Sequence, residues 1–388
     1  TLSAARQVRS ELGRVPVGTR MKPLIVAFLL ASLFASTVLG QASTSEISVD
    51  DASSHAVTSP AITFLSLADA RRELLGEEDD LFFASLFPRE AAAMTATPRG
   101  EKTTEESRVA ARAVFSNSVL EFDEAERAML TAVVESIAEQ FGTTYPLLVD
   151  RPWKFIKTKR DLCGGFSFTR GDCIVLSEST LAQALRLPRK PSGTVSRVES
   201  LLLHEQMHVL ERRRPELFVP LFEKIFGFQT ATVQVHPWID ERQVTNPDGI
   251  SDDWVISITG PDDKTKRYWL GTILLGDKPL HTMGRDFTSV AVPVTEQADG
   301  SFEMSVNTDN RPDYSELSAV SQFTSRLPIP GGFDHPNEVA AYLFTEITHG
   351  NNKPDGEAAA RVLAEATEWF RTNLKKPTEG TKESPDGK

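Results

Sequence analysis

The chain is poor in cysteine, with only Cys163 and Cys173 in 388 residues. That excludes a disulfide-rich scaffold, and a chain of this length can bury an ample core without one. No cysteine lies between Gln41 and Leu162 either, so the N-terminal stretch carries no thiolate chemistry. Basic blocks interleaved with aromatics are also missing, and the formal net charge is -12. Nucleic-acid partners are therefore not expected. There is no internal repeat. The strongest apolar run, Leu24 to Leu39, is broken by Ser32, Ser36 and Thr37 and falls short of the ~20 residues that a membrane-spanning helix needs.

That run has the layout of a signal peptide. Met21-Lys22 gives a charged start, an apolar middle follows, and Gly40 and Ala42 supply small residues where a peptidase cuts. Residues 21–42 are read as the signal peptide and 1–20 as an upstream extension. The mature protein is then expected to be secreted or extracytoplasmic, periplasmic or extracellular, with no stable membrane span. No cysteine sits near the cleavage site to carry a lipid anchor.

Residues 43–107 read as a flexible leader or a removable pro-segment. Their first part is rich in Ser, Thr and Ala and too poor in large apolar residues to build a core. Phe64, Leu67, Leu74, Leu75, Leu81, Phe82 and Phe83 then recur at helix-like spacing, which fits either a pro-segment or an accessory helix pair. The main domain is expected over 108–375, with a disordered tail at 376–388. Within it the pattern predicts an amphipathic helix from Phe122 to Phe141 and strands at Trp153 to Lys157 and Cys173 to Ser177. Further strands are predicted at Trp254 to Thr259, Tyr268 to Leu275, Ser289 to Thr295 and Phe302 to Val306. Two helices, at about Pro336 to Thr348 and Glu357 to Asn373, complete the domain.

The chemistry concentrates at His204-Glu205-Gln206-Met207-His208. Ser196 and Glu199 have the spacing of a capping box, and Pro215 stops a helix that begins there. Four residues apart on one helix face, His204 and His208 can reach one tetrahedral zinc ion. Glu205 projects about 100° further round, where it can take a proton from a metal-activated water without binding the metal. A chance match on an ordinary amphipathic helix is the plainer alternative. In an exported chain, Cys163 and Cys173 are expected to close a disulfide across a hairpin.

At these residues the chain resembles the zincin metallopeptidases. In the gluzincin branch the third ligand is a glutamate on a second helix in an Asn-Glu-x-x-small context, and Asn337-Glu338-Val339-Ala340-Ala341 has that form. The resemblance implies Glu338 as third ligand, with Asp240, Glu241, His236 and His335 as the other candidates. His335 and Tyr342 are candidates for orienting a ligand or stabilising an oxyanion. Two departures stand out: a long β-rich stretch separates His208 from Glu338, and Tyr342 occupies the place of an acid that orients a bound histidine. The metzincin pattern fails because Glu211 stands where it requires Gly.

The expected fold class is therefore α+β: a zincin-like domain with an HExxH active-site helix, a small β-sheet beside the cleft and a β-rich insertion before the C-terminal helices. The expected function is zinc-dependent hydrolysis of peptide or protein substrates, with Glu205 as general base. A catalytically inactive zincin-like binding module is the alternative. The intact Glu205 speaks against it.

Overall fold

Cys173-Ile174-Val175-Leu176-Ser177 is buried throughout, so the strand it forms must be covered on both faces. In the computed structural model, which describes residues 60–77, 81–186, 195–249, 254–259, 264–350 and 354–375, that is how it is packed. The expected extension, signal peptide and tail lie outside the described residues.

The chain enters through strand β1 (Ile62–Phe64) and a helical layer. This comprises α1 (Leu67–Leu75), α2 (Phe82–Ser85), α3 (Pro88–Met94) and α4 (Thr104–Ser118). After β2 (Val119–Leu120) come α5 (Glu124–Phe141), α6 (Pro146–Val149), β3 (Trp153–Thr158), β4 (Phe168–Arg170), β5 (Cys173–Ser177) and α7 (Glu178–Arg186). The first sheet has the order β1-β3-β5-β4, with β2 beside β3. Strands β1, β3 and β5 run parallel, while β4 pairs antiparallel with β5.

Alternation along β3 and β5 divides the interior. Trp153, Phe155, Ile174 and Leu176 face one core with Leu130, Val134 and Ile137 of α5. Ile156, Cys173 and Val175 face the other, against Leu74, Phe82, Phe83, Leu86, Met94 and Phe115. The helical layer is therefore the second cover of the sheet. This corrects the expectation of a flexible leader for the described part of 43–107: its residues build a strand and one wall of the core. Polar ties reinforce the packing. Arg89 donates to the Gly276 carbonyl at 2.8 Å, the Thr245 amide donates to buried Glu90, and Arg170 reaches the Gly76 carbonyl.

The disulfide expectation is also corrected. Cys163 and Cys173 are buried free thiols. The hairpin closes through Gly171 and Asp172, with Arg170 opposite Cys173, whereas Cys163 lies earlier, in the short 3-10 turn Leu162–Gly165. Burial pushes the Cys163 thiol far above its ordinary range and lifts Cys173 to about 12, so both stay protonated and unreactive.

Next come α8 (Arg197–Arg213), α9 (Pro215–Pro220), β6 (Phe228–Thr230), β7 (Val233–Gln234) and α10 (Pro237–Asp240). A second sheet then takes shape from β8 (Trp254–Thr259), β9 (Thr265–Leu274), β10 (Phe287–Glu296), β11 (Phe302–Met304) and β12 (Ser315–Glu316). Its order is β6-β8-β9-β10-β11-β7, with β12 paired to β10. The chain ends in α11 (Ser321–Thr324), α12 (Pro336–His349) and α13 (Glu357–Asn373). Helices and strands share the described chain, compatible with the α+β class.

Candidate metal centre

Helix α8 begins on the capping box read from the sequence. The Glu199 amide donates to Ser196 Oγ at 3.2 Å and the Glu199 carboxylate accepts from the Ser196 amide. Glu199 Oε1 also accepts from Ser136 Oγ at 2.6 Å and Gln140 Nε2 at 3.1 Å, so the cap fastens α8 to α5. The helix stops at Arg213, two residues before Pro215. Its central turns are buried from Leu202 to Glu211.

Helix α12 packs across α8, and its Ala340 and Ala341 are fully buried. Glu338, in the first turn of α12, thereby meets the two histidines. His204 Nε2 lies 3.1 Å from His208 Nε2 and 3.4 Å from Glu338 Oε2, and His208 Nε2 lies 3.6 Å from Glu338 Oε1. A zinc ion with ligands at ~2.0–2.1 Å in a tetrahedron sets ligand atoms ~3.4 Å apart. The three separations bracket that value. Among the described residues this is the group of His, Cys, Asp and Glu side chains close enough together to hold an ion. The residues present thus fit zinc by donor type and spacing.

Asp240, Glu241, His236 and His335 do not join the group. His236 caps α10, accepting from the Trp238 amide at 3.1 Å, and Glu241 pairs with Arg242. His335 caps α12 through the Asn337 amide at 3.3 Å. Tyr342 does reach the site, its ring edge-to-face with His204 at 4.7 Å between centroids. Gly332 permits that placement: its φ is +71°, and a Cβ there would strike the Tyr342 ring.

The residue that sequence reasoning missed is Glu211. Its Oε2 lies 2.9 Å from His208 Nδ1. Donation from Nδ1 turns the Nε2 lone pair toward His204 and Glu338, the arrangement that a metal ligand requires. The signal was present in the spacing: three residues after His208, an acid falls on the same helix face. Glu211 had served only as the residue that breaks the metzincin pattern. Glu211→Ala is expected to weaken zinc affinity by about 10- to 100-fold, measured by competition with a chromogenic chelator. Unchanged affinity would remove Glu211 from the site.

A loop from the β-rich region completes the surroundings. Asn246 Nδ2 donates to Glu338 Oε1 at 2.8 Å. Asp248 Oδ1 accepts from the Thr169 amide and hydroxyl, each at 2.6 Å. Arg212 clamps the loop to β4, donating to Thr169 Oγ1 at 2.8 Å and to the Pro247 carbonyl at 2.9 Å. Strand β5 is internal and paired on both sides, and the sheet edge is β4, where Asp248 takes the Thr169 amide.

Electrostatics follow from burial. Burial lowers His208 to about 3, with Glu338 opposing, so the imidazole is neutral. For Glu338 burial acts upward, but His208, His204 and Asn246 outweigh it and hold the carboxyl at about 2. Burial and then Glu338 raise Asp248 to about 6. Glu205 is raised well above its usual range by burial, then by Asp248 and Glu338. Neither Glu205 carboxyl oxygen has a hydrogen-bond partner, although the residue is 1% exposed. Such a group is costly unless something else engages it. Comparison of the chain with protein-family models, curated proteins and solved structures finds no match.

Proposed function

We propose that the chain is a secreted zinc metallopeptidase of zincin type, resembling the gluzincins, in which His204, His208 and Glu338 hold zinc and Glu205 is the general base. The observation that carries this reading is the convergence of three ligand atoms at tetrahedral spacing beside a buried carboxyl without a hydrogen-bond partner. Export rests on the charged, apolar and small-residue pattern of residues 21–42.

Zinc bound there would polarise a peptide carbonyl and make a water acidic enough to lose a proton near neutral pH. The chain's own residues supply the rest. Glu205 follows a ligand histidine on the same helix, so its carboxylate can accept that proton and pass it to the departing amine. Glu211 fixes the His208 ring, and Asn246 holds Glu338 in place. Tyr342, whose ring lies edge-to-face with His204, is the donor proposed for a developing oxyanion.

The test is metal content and hydrolysis together. The purified full chain should carry close to one zinc per molecule by plasma mass spectrometry and cleave an unstructured protein. A chelator should abolish cleavage and added zinc should restore it. Failure to take up near-stoichiometric zinc, even on reconstitution, would sink the reading.

A further inference from the structure

Beside the metal centre lies a cavity of about 80 Å³, open to solvent, whose wall includes Glu338 itself. Its apolar side is built by Met94, Phe166, Phe168 and Met283. Three acids line it, Glu338, Asp248 and Asp334, and among the described residues no lysine, arginine or histidine does. Two of the acids are committed. Glu338 belongs to the ligand triad, and Asp248 is engaged by Thr169.

Asp334 differs. Its Oδ2 accepts from Thr272 Oγ1 at 2.8 Å, while Oδ1 is buried with no hydrogen-bond partner. A buried carboxylate oxygen left open costs free energy until a donor arrives. In an apolar cavity the donor that fits best has an aliphatic stem ending in a cation. An uncharged apolar side chain would fill the space and leave Oδ1 unpaired.

We propose that this cavity is a specificity pocket for a basic amphipathic side chain, a lysine or arginine flanking the scissile bond, with its stem along Phe166, Phe168 and Met283 and its charge at Asp334. The substrate class rests on the peptidase reading above; the cation site itself does not. Burial lifts the Asp334 carboxyl to about 6, with Glu338 adding to the rise and Thr272 and His335 opposing it. Met94 comes from α3, so the N-terminal helical layer forms part of the pocket wall.

Two measurements separate this inference from the peptidase reading. The first uses the zinc-free full chain, so that an amine has no metal to ligate, and compares n-pentylammonium with n-pentanol by ligand-observed NMR. Pentylammonium should bind at least ~10-fold more tightly, a charge-assisted contact in a desolvated site. The advantage should shrink severalfold in Asp334→Asn and persist in Asp334→Glu. Equal binding of the two probes, or an advantage untouched in Asp334→Asn, overturns the proposal. The second profiles cleavage of a peptide library by the zinc-loaded chain. Lysine and arginine should be enriched over leucine and phenylalanine at one position beside the cut, with the ratio falling in Asp334→Asn. Cleavage with no basic preference overturns the pocket and leaves the peptidase standing. Absence of any cleavage, with the amine preference intact, overturns the peptidase and leaves the cation site.

Discussion

Glu205→Gln is expected to cut peptide hydrolysis by about 10²- to 10⁴-fold, the usual worth of a positioned general base, while zinc stays bound. The amide keeps the size of the carboxylate but cannot take the proton. His204, His208 and Glu338 all remain, so metal content should match the parent. A second readout comes from the crowding of acids. Burial, Asp248 and Glu338 all disfavour charge on Glu205, so replacing it with a neutral side chain should raise the melting temperature of the zinc-free protein. If the variant keeps full activity, Glu205 is not the base. If it loses zinc, Glu205 is a ligand and the assignment of roles is wrong.

A chain that begins at residue 108 is expected not to fold. It lacks β1, which pairs in parallel with β3, and all of α1, α2 and α3. It also lacks the capping box of α4, formed by Thr103 and Glu106. The sheet would then expose Ile156, Phe168 and Val175, now packed against Leu74, Phe82, Phe83 and Leu86. At roughly 2 kcal/mol for each large apolar side chain left in water, those three alone amount to ~6 kcal/mol, within the total stability of ordinary domains, about 5–15 kcal/mol. The aromatic contacts of Phe83 with Phe115 and Phe82, each 5.1 Å between centroids, would go too. Near-UV circular dichroism and limited proteolysis should report a chain without fixed packing. Cooperative unfolding at the full chain's temperature would show instead that residues 62–107 are dispensable.

Local patterns made much of this legible. The strand Cys173–Ser177 and the helix Glu357–Asn373 have the bounds that the sequence pattern predicts, since each begins and ends on strong composition changes. Helix α8 was readable at both ends, through Ser196 with Glu199 and through Pro215. The histidine pair followed from that helix alone. Glu338 was not readable locally, because its placement depends on α12 packing against α8. The helical spacing of the N-terminal layer was readable, but its place as a wall of the core was not, because periodicity does not name the partner surface. The continuous run Cys173-Ile174-Val175-Leu176 already required two covered faces, and α5 with α8 can cover only one. Two cysteines behind a signal-peptide-like pattern invited a bridge, but a hairpin closed by Gly171 and Asp172 leaves Cys163 out of register.

The loop carrying Asn246 and Asp248 has a consequence for how the site comes into being. Two of the proposed ligands lie within one turn of α8, but the third is 130 residues downstream, from 208 to 338, and the loop that steadies it stands between. The histidine pair can form as soon as one helix does. The complete triad requires closing a long stretch of chain, the slow kind of event in folding because loop entropy is lost before distant contacts form. High-affinity zinc uptake should therefore lag behind the appearance of helix during refolding. It would mark the moment at which the β-rich region has docked and the chain has committed to its final topology.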